Sequence, residues 1–222
     1  PIAGCSLALE DAENSTLVLN GKSVSVQTNG WYVDKAIQIV PHPDLKCAQN
    51  ILLVTVTIGR RTNLEYMYLL GDFSVRIIGT KKILTEPIRS LGFSDIVNQG
   101  LPFYTGNLLY HFRIQTDGDF DLRIPRYRGG LLKIFLDGQD VGNLAFSPYR
   151  IHISCVSGVH ELTIRLYGTR QNGFAQLHHT PGVYFYQSPN SWRSAGDLWC
   201  YEYQFKPAGI LTSPELYGAK YL

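Results

Sequence analysis

The sequence predicts an all-β chain built as two tandem β-sandwiches, and three observations carry that prediction. Period-two segments rich in aromatic and β-branched residues recur along the 222 residues, with Gly, Pro and Asn between them, and none runs into a helical period. Two hairpins are written alike, at 16–24 around Asn20-Gly21 and at 133–142 around Asp137-Gly138. The segments after the first hairpin recur, in the same order, after the second.

Each hairpin has a physical reason. Asp-Gly and Asn-Gly suit a type I′ turn, which needs φ > 0 at both central residues, and Gly accepts that at little cost. Ile134 and Leu136 alternate into the second turn, and Val141-Gly142 begins the return strand. After the first hairpin come Trp31-Tyr32, AIQIV at 36–40, then ILLVTVTIG from Ile51. After the second come Pro148-Tyr149-Arg150, IHIS, then HELTIRLYG from His160. Gly21 and Gly138 are 117 positions apart, and Asn63 and Asn172 are 109 apart. A repeat of this length is a duplicated domain rather than a solenoid unit.

Taken in order, the candidate strands are 6–9, 16–19, 36–40, 51–58, 65–70, 74–78, 107–114, 120–124, 132–136, 150–154, 161–167, 183–187 and 198–205. They place a first sandwich at 1–80, a linker or edge-covering segment at 81–99, and a second sandwich at 100–222. The second copy opens with a strong strand, NLLYHFRI from Asn107, and the first has almost nothing before Leu7. The first sandwich is therefore expected to lack its opening strand unless another segment completes it. An unpaired edge is an association hazard, so a homodimer through that edge, or else a poorly ordered N-terminus, is expected. The chain begins at Pro1 with the strand pattern already under way, as in a piece of a longer protein. The stretch 180–196 has no counterpart in the first copy; it reads as a long loop carrying Tyr184, Tyr186 and Trp192.

Composition narrows the function classes. The chain is 45% hydrophobic and 17% charged, a globular balance with enough apolar material for a substantial core. The net charge of +2 is scattered, which gives no basic stripe for nucleic acid. No apolar run reaches the roughly 18 residues of a membrane span. Cys5, Cys47, Cys155 and Cys200 lie far apart, in or beside strand-like segments, and are expected to be reduced and structural. A cytoplasmic setting is therefore expected.

The string Leu136-Asp137-Gly138, Val141-Gly142, Pro148-Tyr149, a Gly158 turn and HELTIRLYG is similar to the sugar-binding-like jelly rolls of β-galactosidase-type (family 2) glycoside hydrolases. The first copy matches through Leu19-Asn20-Gly21 and 50–58. More narrowly, Tyr68–Phe73, Gly100–Tyr104, Gly106-Asn107 and Leu211–Pro214 resemble the C-terminal region of large bacterial glycoside-hydrolase-like proteins. The resemblance implies galactose-binding-like jelly rolls that are accessory to a catalytic domain elsewhere in the parent chain. It implies carbohydrate and that catalytic domain as partners. A domain with no ligand of its own is the alternative, and a self-contained glycosidase ranks last.

The residues themselves point the same way. Glycosidase chemistry needs two facing carboxylates. Glu10, Asp11 and Glu13 cluster in a polar turn, and Glu202 sits between aromatics, but nothing pairs them. No nucleophile elbow or phosphate loop is present, so no catalytic residue is named. Sugar rings stack their C–H faces on aromatic rings while amides and guanidinium groups bond the hydroxyls. Trp31, Tyr104, Tyr149 and Trp192 near turns, with Asn107, Arg170 and Asn172, are the candidate carbohydrate-binding set. Core or interdomain packing is the competing role for each, and Trp199 is expected in the core. No cofactor is expected. A structural calcium, which the resemblance allows, would use Asp117 and Asp119 with Asp121 beside them; an ordinary polar turn is the other reading. His178-His179 reads as a surface loop, and Arg126-Tyr127-Arg128 as an exposed edge.

Overall fold

The computed structural model describes residues 4–41, 45–60, 62, 66–182 and 192–222. The chain is all-β, built from several antiparallel sheets, and divides into two compact units, Pro1–Phe73 and Ser74–Leu222.

In the first unit the described strands are β1 (Ser6–Leu9), β2 (Ser15–Leu19), β3 (Lys22–Val24), β4 (Trp31–Tyr32), β5 (Asp34–Pro41), β6 (Leu52–Val56) and β7 (Tyr68–Leu70). They form one sheet in the order β4-β5-β1-β7 and another in the order β3-β2-β6. Leu17 and Leu19 of β2 are buried at alternate positions, as period two requires, while Leu7, Ala8 and Leu9 of β1 are all buried. With Val24, Ile37 and Val40 they make this unit's core.

The second unit opens with a hairpin of β8 (Ser74–Ile78) and β9 (Lys81–Thr85) and a 3-10 helix, Ile96–Gln99. Asp95 caps that helix, accepting from Val97 N at 3.1 Å, and Ile96 is buried in the core. The stretch 81–99 therefore contributes a strand and a core residue to the second unit. The remaining strands are β10 (Leu108–Arg123), β11 (Tyr127–Arg128), β12 (Leu131–Leu136), β13 (Gln139–Leu144), β14 (Arg150–Ile153), β15 (Gly158–Tyr167), β16 (Gly209–Ile210) and β17 (Glu215–Tyr221). A short helix, α1 (Gln171–Phe174), comes after β15. The main sheet runs β13-β12-β15-β10-β14, with β17 also on β10. Its core packs Leu132, Ile134, Leu162, Ile164, Ile114, Phe120 and Leu122, all essentially inaccessible to solvent. Each such side chain contributes about 1.5–3 kcal/mol by leaving water.

The duplication expected from sequence has a structural counterpart at both hairpins. Asn20-Gly21 have φ 53° and 80°, and Asp137-Gly138 have φ 50° and 80°, as a type I′ turn requires. Asn20 N donates to Ile51 O at 2.8 Å, and Ile51 N donates to the Asn20 side chain at 3.0 Å. Asp137 N donates to Glu161 O at 2.8 Å, and Glu161 N donates to the Asp137 carboxylate at 2.8 Å. The turn side chain thus pins the start of the third strand in each copy. Leu19 faces Leu52 in the first copy, and Leu136 faces Leu162 in the second.

The copies part at the next strand. In the second unit β10 pairs with the far side of β15, from Leu108↔Leu166 to Thr116↔Gly158. In the first unit no strand among the described residues pairs with the far side of β6. The segment expected to cover that edge has its strand, β9, on β8.

Other differences from expectation have identifiable causes. The segments 107–114 and 120–124 are one strand, β10, with a register irregularity against β17 between Thr116 and Asp121. Gly118, at φ 150°, lets the chain pass this irregularity without ending the strand. The expected strand 198–205 is irregular apart from one bridge, His179↔Trp199, and its backbone bonds to 177–180 at separate points: Thr180 N to Leu198 O, Cys200 N to His178 O and Gln204 N to Leu177 O. Of the expected 65–70, Tyr68–Leu70 is strand and residue 65 lies outside the described residues, as does all of 183–187. Cys5 is buried, but Cys47 is exposed rather than part of a core.

Candidate functional site

One end of the second unit brings together three residues singled out from sequence, Tyr104, Asn107 and Asn172, with a fourth, Arg170, beside them in the chain. Tyr104 comes after the 3-10 helix, Asn107 precedes β10, and Arg170 and Asn172 flank the start of α1. Tyr104 Oη donates to Asn107 O at 2.9 Å, which holds the ring over Gly106. Gly168 N donates to Asn107 Oδ1 at 3.2 Å. A Cβ on Gly168 would collide with the carbonyl of Gly106, so glycine is what lets these backbones cross and fixes Asn107. Asn172 is buried and fully engaged: its Nδ2 donates to Lys206 O at 2.7 Å and its Oδ1 accepts from Lys206 N at 2.9 Å. It acts as a clamp between α1 and the 206 segment. Arg170 is exposed.

The cleft here is lined by Tyr104, Leu108, Arg128, Thr169, Asn172 and Lys206, and its lining contains no Asp or Glu. A carboxylate pair for glycoside hydrolysis is therefore absent from it. Its free volume is about 20 Å³, room for a water rather than a sugar ring.

Beside this cleft in the chain, on Phe103 and on the residues before Lys206, lies a run of aromatic rings that sequence reasoning did not select. Trp199 and Tyr201 meet at 4.4 Å between ring centroids, and Tyr203 and Phe205 stack at 5.3 Å with 13° between their planes. His178 bridges the two pairs, 5.9 Å from Trp199 and 4.5 Å from Tyr203. Phe103 sits edge-on to Tyr203 and Phe205 at 5.3 and 5.1 Å. Lys82 Nζ donates to Tyr203 Oη at 2.9 Å and lies 5.2 Å from that ring's centroid, so a cation borders the strip. His178 Nδ1 lies 3.0 Å from Cys200 O, an acceptor, so the proton sits on Nδ1 and the ring is oriented. Tyr201 is 69% exposed. The signal was the alternation Trp199, Tyr201, Tyr203, Phe205, which also fits a core strand. Trp199 is only half-buried, so the expected core position does not hold for it.

The remaining candidates are dispersed. Trp31, 53% exposed, lies in the first unit opposite Gln38 of β5. Trp192 is 39% exposed, and Gln176 Nε2 anchors the neighbouring backbone at Arg193 O, 2.9 Å away. Tyr149 packs edge-on against the buried Tyr127 at 5.3 Å, so its ring is committed to the core rim. Tyr127 Oη in turn donates to Leu144 O at 3.1 Å. Asp117 and Asp119 lie at the β10 irregularity. Asp119 already accepts from Ser154 Oγ at 3.2 Å and from Cys155 N at 3.0 Å. Asp121 accepts from Arg150 at 2.8 Å, and that guanidinium, with His152, holds its carboxyl below the usual range. Among the described residues no three His, Cys, Asp or Glu side chains converge as a metal site would require.

A second concavity, of about 330 Å³, has Phe93, Phe112 and Tyr221 as its aromatic wall and His111, Arg113 and Ser213 as polar neighbours. Phe112 stands 5.6 Å from Phe93 and 5.5 Å from Tyr221. Burial pushes the Tyr221 phenol up to about 12.

No protein-family model matches the chain, and no curated protein sequence does. A solved structure similar to it is a rhamnosidase from Novosphingobium sp. PP1Y, at 17% identity and a TM-score of 0.40, covering 93% of this chain. The chain spans 20% of the length of that enzyme.

Proposed function

We propose that this chain is a non-catalytic accessory region of a glycoside hydrolase, of galactose-binding-like jelly-roll type, that binds carbohydrate weakly. The motif order 136–167 and its counterpart at 19–58 support the type of domain. The observation that carries the binding role is the cluster Trp199–Tyr201–His178–Tyr203–Phe205, whose rings pack on one another beside Lys82 and leave Tyr201 69% exposed. Rings in series suit the C–H faces of a saccharide, and the neighbouring Lys82, Glu202 and Gln204 supply polar groups for its hydroxyls.

The second reading is a domain that buttresses the catalytic part of its parent chain without a ligand. The small free volume behind Tyr104 favours it, because the predicted residues gathered there leave no space for a ring.

Intrinsic tryptophan fluorescence of the 222-residue chain, titrated with monosaccharides, oligosaccharides and polysaccharide fragments, separates the two. Trp199 lies against Tyr201, so stacking there alters its surroundings. We expect a saturable shift with one sugar class that Tyr201→Ala abolishes while far-ultraviolet circular dichroism stays unchanged. A folded sample that shows no shift with any sugar at millimolar concentration excludes the binding role and leaves the buttressing one.

A further inference from the structure

We infer that Asn29-Gly30 is a site of spontaneous modification, at which the Asn29 amide becomes a carboxylate through a cyclic imide, while the fold protects the other two Asn-Gly pairs. The sequence has three such pairs, Asn20-Gly21, Asn29-Gly30 and Asn172-Gly173. Asparagine is thermolabile, and a following glycine presents a main-chain nitrogen with no Cβ to shield it. The three pairs carry the same intrinsic hazard, so their surroundings decide which of them reacts.

The reaction needs no partner but water. Gly30 N gives up its proton and attacks Asn29 Cγ; the N–Cγ bond forms, the Cγ–Nδ2 bond breaks, and Nδ2 leaves as ammonia with that proton. Water then opens the cyclic imide. Opening at the Cγ carbonyl gives aspartate, and opening at the main-chain carbonyl gives isoaspartate, with the chain running through Cβ. Three conditions follow: a carboxamide free to turn, a glycine N–H that bonds nothing, and access to water.

Asn29-Gly30 meets all three. Both residues are exposed, in the connection between β3 and β4. Their main-chain anchors lie on either side of the reacting bond: Asn29 N donates to Ile39 O at 2.7 Å, and Gly30 O accepts from Ile39 N at 3.1 Å. Among the described residues, neither the Asn29 carboxamide nor Gly30 N takes part in a hydrogen bond.

The other pairs fail. The Asn20 carboxamide is held at both ends, with Oδ1 accepting from Ile51 N at 3.0 Å and Nδ2 donating to Asn50 Oδ1 at 2.9 Å. Asn172 is buried and is held at both ends by Lys206, at 2.7 and 2.9 Å. Its neighbour's nucleophile is also engaged, since Gly173 N donates to Arg170 O at 3.3 Å. Giving up two hydrogen bonds slows Asn20 and Asn172 by on the order of tenfold or more relative to Asn29. Isoaspartate at Asn29 adds a main-chain atom between the two groups that bind Ile39, just before Trp31 pairs with Gln38. Either product adds one negative charge, which takes the formal net charge from +2 to +1.

Incubation of the whole 222-residue chain in mildly alkaline buffer, followed by proteolysis and mass spectrometry of the peptides, tests this. The expected result is a first-order mass gain of an amide-to-acid change in the peptide containing Asn29, in both aspartate and isoaspartate forms. A more acidic species accumulates in parallel on isoelectric focusing, and the peptides containing Asn20 and Asn172 stay unchanged. In denaturant the three pairs react at similar rates, which assigns the selection to the fold. Asn29→Gln, which would have to close a larger ring, abolishes the acidic species; Asn29→Ser serves if circular dichroism shows the glutamine variant to be misfolded. A folded chain in which Asn29 keeps its amide overturns the inference. So does one in which Asn20 or Asn172 reacts as fast as Asn29, or a preference for Asn29 that persists in denaturant.

Discussion

At the scale of single residues, the turn side chains Asn20 and Asp137 decide how each hairpin meets the next strand. Both accept a backbone N–H from that strand, and each also binds one further side chain. Asn20 Nδ2 donates to Asn50 Oδ1 at 2.9 Å, and His160 Nδ1 lies 2.6 Å from Asp137 Oδ2. The second copy has thus placed an ion pair where the first has two amides. His160 Nε2 faces Val156 O at 3.0 Å, so both ring nitrogens meet acceptors and the imidazolium satisfies both. The Asp137 hydrogen bond, then the Val156 carbonyl, raise the His160 pKa above its ordinary 6.5. The same hydrogen bond lowers that of Asp137 below 3.8. A raised histidine pKa stabilises the fold fully below the unfolded value of about 6.5, and that contribution is lost as pH rises through the folded value. For Asp137 the contribution is present above about 3.8 and is lost as pH falls through its lowered value. Stability from this pair is therefore greatest between the two, and melting temperature should decline as pH rises past the folded pKa of His160. Asp137→Asn keeps the positive φ and the acceptor for Glu161 N but removes the charge. Its melting temperature should lose the decline above about pH 6.5, while the direct cost stays near about 1 kcal/mol. An unchanged slope would assign the pH dependence to another group.

At the scale of elements, β15 and β6 are the same strand in two settings. Ile164 is enclosed by Ile134 of β12 and Tyr110 of β10, whereas among the described residues the equivalent Val54 has β2 on one side only. Ile164→Ala should cost about 2–5 kcal/mol, as in other fully buried sites. Val54→Ala should cost less than about 1.5 kcal/mol when measured at low protein concentration, because its site is half open. Chemical denaturation of both variants checks the pair, and equal losses would mean that β6 is covered. A different lesson comes from 198–205. Its alternation of rings is as regular as that of many strands, but the backbone bonds elsewhere, with Cys200 N donating to His178 O at 2.8 Å and Gln204 N to Leu177 O at 2.7 Å. A few backbone bonds to 177–180 stand there where β12 and β15 have a continuous ladder.

At the scale of the molecule, each unit has its own buried residues, and the first is the smaller and more open of the two. A smaller unit buries a smaller fraction of its surface, so it gains less from the hydrophobic effect. Differential scanning calorimetry of the dilute chain should resolve two transitions, with the first unit melting at the lower temperature. Asp137→Asn and Ile164→Ala should move only the upper one. A single transition shifted as a whole by Ile164→Ala would show that the units unfold together.

The class of fold was legible in the sequence because period two, Asn-Gly and Asp-Gly are local signals. A turn that needs two positive φ angles selects its residues wherever it occurs, and alternation results from the pleat. The duplication was legible for the same reason, since Asn20 and Asp137 do identical work. The candidate site was legible only in part. Tyr104, Asn107 and Asn172 lie at one end of the second unit, with Arg170 exposed beside them in the chain, but sequence carries no measure of the space between them, and Asn172 is enclosed. The strip from Trp199 to Phe205 needed Phe103 and His178 to complete it, and those contacts span long separations in the chain. Likewise, the pattern of β6 is that of any buried strand. Only pairing across distant segments decides that Leu162 and Ile164 have a neighbour on both sides and that Leu52 and Val54, among the described residues, have one.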